Sequence, residues 1–112
     1  MHYKRKTDAN QGMIARSLQW AGYHLTDLSG CGKGIPDLLC TRNGACFLVE
    51  IKNPKGRNTF TPAQTEYYRQ VNAPVYVLRD IKGVELLING DLKPINPRNI
   101  AINGKEKAKN PG

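Results

Sequence analysis

A chain of 112 residues with 17 Lys and Arg against nine Asp and Glu, formally +8, has room for one domain and one modest core, and its charge favours a polyanionic partner, nucleic acid first. It carries no apolar run of membrane-spanning length, no secretory leader, no basic amphipathic helix and no lipidation signal, so a soluble, cytoplasmic protein is expected. Cys31, Cys40 and Cys46 are odd in number and lack CxxC spacing, and His2 and His24 lie far apart, which argues against a disulfide framework and a zinc site and leaves the thiols as small buried hydrophobes.

In chain order, Asp8 is placed to cap a helix from about Ala9 to Ala21, ended by Gly22, with Ile14, Leu18 and Ala21 as its inward stripe. Gln11 lies one turn before Ile14 and Ala15, near the same face. Tyr23 to Leu28 alternates loosely and predicts a strand. Ser29-Gly-Cys-Gly-Lys-Gly34 follows. It is not a Walker A loop, because Gly34 stands after Lys33 where Ser or Thr is required. It is either a plain connection or a place where backbone comes close to a phosphate.

Asn43-Gly44 is the strongest short hairpin signal, and it joins two runs rich in strand formers, Ile35 to Arg42 and Ala45 to Lys52. Closing them on a two-residue loop pairs Arg42 with Ala45, Thr41 with Cys46, Cys40 with Phe47, Leu39 with Leu48 and Asp37 with Glu50. Lys52 then shares a face with both acids. Carboxylates directly opposed on a ladder have Cβ atoms roughly 4.5–5.5 Å apart and destabilise a sheet unless one keeps its proton or a cation lies between them. A hard divalent ion with oxygen ligands suits such a pair. Asp37 and Glu50 are the only acids between Leu28 and Phe60, among Lys33, Arg42, Lys52, Lys55 and Arg57. The plainer alternative is a surface pair in which Asp37 is a strand-end turn residue and Lys52 a solvated lysine.

Asn53 to Phe60 reads as a polar, basic loop. Thr61-Pro62-Ala63-Gln64 reads as a helix start, with Thr61 as cap, Pro62 at the first helical position and Gln64 closing a capping box; the helix is predicted to reach Asn72. Ala73 to Arg79 predicts a buried strand able to join the sheet in parallel. Asp80 to Ile88 favours a short helix capped by Asp80 over an edge strand at Val84 to Ile88. From Asn89 on the chain is polar, and a loosely held end is expected. The order predicts an α/β fold, a mixed sheet flanked by helices, as a single domain over 1–90 with a polar basic tail over 91–112.

Pro36-Asp37, the hairpin and Glu50-Ile51-Lys52 resemble the PD-(D/E)XK signature of restriction-like nucleases, whose core has the order αβββαβ. With Asp8-Ala-Asn-Gln11, Gly32 to Leu39, Leu48 to Lys52 and Phe60-Thr-Pro-Ala-Gln64, the chain looks like the small stand-alone VRR-NUC proteins of phages and prophages over about Lys6 to Leu78. The resemblance implies a Mg²⁺- or Mn²⁺-dependent endodeoxyribonuclease related to Holliday-junction resolvases. Asp37, Glu50 and the carbonyl of Ile51 would hold the metal, Lys52 would position or activate the attacking water, and Gln64 would lie beside Lys52. It also implies branched or otherwise distorted DNA as substrate and a homodimer. Gln11 departs from the glutamate that the resolvases carry on this helix: it either binds the metal through water or closes a box with Asp8. Tyr68, one turn after Gln64 on the same face, reads as packing ahead of catalysis. Lys33, Lys55, Arg57 and the Lys4-Arg-Lys6 arm would hold DNA phosphates; a surface of that kind accepts RNA as well. The alternative function is a non-catalytic nucleic-acid-binding module that keeps the nuclease fold. A third is a protein-interaction subunit whose charge serves solubility.

Overall fold

The computed structural model describes residues 9–55 and 59–96. The Asp8 cap, the Lys4-Arg-Lys6 arm, Arg57 and the tail from residue 97 lie outside them. The elements run α1 (Ala9–Trp20), β1 (His24–Asp27), β2 (Leu38–Arg42), β3 (Ala45–Ile51), α2 (Pro62–Gln70), β4 (Val75–Leu78) and α3 (Ile81–Ile88). The four strands form one mixed sheet in the order β1-β2-β3-β4. β2 is antiparallel to both β1 and β3, and β4 joins β3 in parallel. The chain thus has the α/β architecture expected, and Asp80 to Ile88 resolves as a helix whose cap, Asp80, accepts from the Gly83 N–H.

Local chemistry accounts for the ends of these elements. α1 stops at Gly22 (φ 97°), where Gly22 N donates to Gln19 O and Tyr23 N to Leu18 O, the paired bonds by which a left-handed residue closes a helix. The hairpin turns through Asn43 (φ 50°) and Gly44 (φ 84°). Two successive left-handed residues match the twist of the flanking strands, which is why Asn-Gly is favoured there. The register from Arg42↔Ala45 to Leu39↔Leu48 is the one the sequence predicts. α2 ends at Gln70 rather than Asn72, because Val71 is already extended (φ −73°, ψ 133°) and the chain must enter β4 through Pro74, which disfavours helical backbone before it.

Strand alternation divides the core between the two sheet faces. On one, Ile14 and Leu18 of α1 and Val84 and Leu87 of α3 pack on Leu38, Cys40, Val49 and Ile51. On the other, Phe60 and Tyr68 pack on Leu48 and Val75. Each large side chain so buried contributes roughly 1.5–3 kcal/mol, so both layers are firmly seated. Glu50, between Val49 and Ile51, falls on the α2 face.

Only Cys40 of the three cysteines is buried; Cys31 and Cys46 are exposed. Cys31 stands in the glycine-rich loop and Cys46 beside the hairpin turn, where no helix covers the sheet, so the expectation of three buried thiols fails for two. Among the described residues, no helix is long and apolar enough to cross a membrane.

Candidate active site

Asp37 stands one residue outside the ladder, since β2 begins at Leu38, and its main-chain carbonyl accepts from Leu28 N at 2.8 Å. The predicted register holds as far as Leu38↔Val49, and Asp37 and Glu50 are the next residues beyond that last pair. Asp37 Oδ2 accepts from the Ile51 N–H at 2.8 Å. A main-chain donor thereby fixes the carboxylate against β3 more rigidly than a cross-strand pair would. Both acids are buried, Asp37 9% and Glu50 6% exposed.

Successive residues of a strand address opposite neighbours. Lys52 N donates to Leu78 O on the β4 side, and Ile51 N to Asp37 on the β2 side. The Ile51 carbonyl shares that second side, while its side chain is sealed in the α1–α3 core. Of Ile51, therefore, only the main chain is available to the site.

The charge environment of Glu50 is short of cations. Burial first, and then the Asp37 carboxylate, push its pKa from 4.5 up to about 7, against the opposing pull of Lys52 and Gln64. Lys52 Nζ lies 3.5 Å from Glu50 Oε2, a part-buried ion pair. The same ammonium donates to Gln64 Oε1 at 3.4 Å and rests 5.1 Å from the centre of the Phe60 ring, an arrangement that restrains a normally mobile lysine.

Gln64 joins helix and site. Its Oε1 accepts from Thr61 N at 2.9 Å while Thr61 Oγ1 accepts from Gln64 N at 3.1 Å, a complete capping box with Pro62 in the first turn. Its Nε2 donates to Glu50 Oε2 at 3.1 Å. The side chain that closes the cap thus also touches Lys52 and Glu50.

The glycine-rich loop is fixed to the same helix end. Lys33 (φ 58°) and Gly34 (φ 78°) are both left-handed, and Ile35 N closes the turn on Gly32 O at 3.1 Å. A Cβ on Gly34 would stand 2.2 Å from Ala63 O and 2.6 Å from Gln64 N, so only glycine allows the loop to lie on the first turn of α2. The close approach is to a helix of the chain itself, a contact that the sequence reading of this loop does not include. Lys33 is exposed at the tip of that turn. Exposed Lys55 occupies the turn after Lys52, held by its N–H to Asn53 Oδ1 at 2.8 Å. The two lysines flank the acids in sequence, on the approaches to Asp37 and from Lys52.

Gln11 is half-buried in the first turns of α1, in the layer across the sheet from Gln64. Its neighbour Asn10 donates to Arg79 O at 2.9 Å, just past β4, which brings this end of α1 to the sheet end that carries Glu50. Phe60 beneath Lys52 and Gly34 against Ala63 were missed as site residues. Phe60's position immediately before the Thr61-Pro62 start was the available hint for the first, and a glycine ending a glycine-rich loop for the second.

The residues fit a hard divalent cation. Two buried carboxylates and a main-chain oxygen lie together here, with Lys52 against Glu50, and a magnesium-like ion commonly keeps several waters beside one or two carboxylates. Among the described residues no group of three or more His, Cys, Asp or Glu gathers, so the donor set resembles neither a zinc site nor an all-protein calcium cage. Compared with known proteins, the chain matches no family model and no curated protein.

Proposed function

We propose that the chain is a Mg²⁺- or Mn²⁺-dependent endonuclease that hydrolyses phosphodiester bonds in DNA, of the VRR-NUC type within the PD-(D/E)XK superfamily. The observation that carries this reading is the convergence of Lys52 and Gln64 on one oxygen of Glu50, beside an Asp37 carboxylate anchored to the next residue of the same strand. Two acids and a lysine held at a sheet end by a hairpin and a helix cap form a constellation that simple charge solubility does not require.

A divalent ion held by Asp37, Glu50 and the Ile51 carbonyl would polarise the phosphate and acidify bound water. The chain supplies the rest. Lys52, drawn between Glu50 and Gln64, presents its ammonium where an attacking water is to be oriented and negative charge develops on phosphate oxygens. It serves as a donor that orients the water. Gln64 fixes Lys52 and Glu50 relative to each other. Lys33 and Lys55 hold flanking phosphates without reading bases, so affinity depends on salt. Branched or distorted DNA is the proposed preference and a homodimer the proposed form, both resting on the family likeness.

The second reading, a nucleic-acid-binding module without turnover, is favoured by the two-carboxylate donor set, since no third acidic or imidazole group joins it among the described residues. The deciding experiment incubates the protein with branched and linear DNA, with Mg²⁺, Mn²⁺ or chelator, alongside Lys52→Ala. Metal-dependent cutting that falls by about 100-fold or more in Lys52→Ala supports the nuclease. Metal-independent cutting or full activity in that variant rejects the mechanism, and salt-sensitive binding without cutting selects the module.

A further inference from the structure

We propose that Tyr68 is a positioning residue of the acid site, its phenolic O–H holding the Glu50 carboxylate from the α2 side. For metal uptake the inference rests on the proposed nuclease reading; for the contact itself it does not.

Tyr68 is 1% exposed, and its hydroxyl makes no well-formed hydrogen bond. A buried hydroxyl without a partner is destabilising, and a phenylalanine would fill the same apolar place. The ring is already engaged, edge to face with Phe60 at 5.3 Å and in one cluster with Leu48 and Val75. What packing leaves unexplained is the oxygen.

Its surroundings supply an explanation. Residues four apart on a helix share a face, so Tyr68 stands one turn along α2 from Gln64, whose amide donates to Glu50. Leu48, which packs in the same cluster as Tyr68, is two residues before Glu50 on the same face of β3. Tyr68 therefore lies over the stretch of β3 that ends at Glu50. Lys52 and Gln64 both meet Oε2 of that carboxylate, and a donor from Tyr68 complements them at Oε1. Burial first, then the charges of Glu50 and Asp37, push the phenol pKa up.

Groups that orient a metal ligand from behind typically change metal affinity by about 10–100-fold when removed. The test uses Tyr68→Phe, which keeps the ring. Mn²⁺ titration by calorimetry is expected to show affinity about tenfold weaker than wild type. In chelator, a double-mutant cycle of Tyr68→Phe with Glu50→Ala, read by urea unfolding, is expected to deviate from additivity by about fivefold in the unfolding constant. Additivity in the cycle overturns the contact. Unchanged Mn²⁺ affinity in a wild type that binds the ion overturns the positioning role. A wild type that takes up no Mn²⁺ refutes the metal reading of the site, and the cycle alone then decides whether Tyr68 holds Glu50.

Discussion

Replacing Glu50 with glutamine isolates the electrostatic cost of the acid pair. With a pKa near 7 in the folded protein against 4.5 as the ordinary value, Glu50 keeps its proton to higher pH when folded than when unfolded. Between those values the folded state binds more protons, so stability falls as pH rises. The favourable contribution is whole below about pH 4.5 and is lost as pH climbs through about 7. At ~1.4 kcal/mol per pH unit, the gap amounts to about 3 kcal/mol. Glu50→Gln keeps the shape and removes the charge; the ion pair with Lys52 that it ends has already lowered the Glu50 pKa to about 7, so its loss is contained in that gap. Urea unfolding in chelator should therefore find the variant about 3 kcal/mol more stable than wild type near pH 8 and within about 1 kcal/mol of it near pH 5. Parallel pH dependence in the two proteins would refute the claim that burial and Asp37 strain the Glu50 charge.

Gly34→Ala should destabilise the fold by about 3 kcal/mol and lower activity, because its Cβ meets the Ala63 backbone at a positive φ; Gly30→Ala, in open space, should be close to neutral in the same urea assay. Gln64→Ala removes both the return bond of the capping box and the bond to Glu50, and should cost about 1–2 kcal/mol in thermal unfolding together with most of the cleavage rate. Lys33→Ala and Lys55→Ala should each weaken DNA binding and lower the slope of log affinity against log salt by about 1; a slope unchanged in both would remove these residues from the DNA surface.

The features legible in the sequence are those encoded over a few adjacent residues. Asn43-Gly44 fixes a turn whose φ angles only a few residue types adopt, and the turn in its turn fixes the register of β2 on β3. Thr61-Pro62-Ala63-Gln64 satisfies the N–H groups at the head of α2 from within one turn, and Asp80 does so for α3. Contacts between layers are not encoded in this way. The contact of Gly34 with Ala63 joins distant residues, and nothing in either segment names the other. The carboxylate of Asp37 finds the Ile51 N–H because the ladder stops one residue short, a detail of strand length that alternation does not determine. The exposure of Cys31 and Cys46 follows from which parts of the sheet and loops the helices leave uncovered. Tyr68 illustrates the same limit: its place in the core follows from helical spacing, whereas the contact proposed for its oxygen depends on how α2 is laid on β3.

Anomalous diffraction from a crystal soaked in Mn²⁺ tests the central claim most directly. The account predicts one manganese peak between the carboxylates of Asp37 and Glu50, within ligand distance of the Ile51 carbonyl and absent in Asp37→Ala. Manganese bound elsewhere, or a site left empty at saturating Mn²⁺, would contradict it.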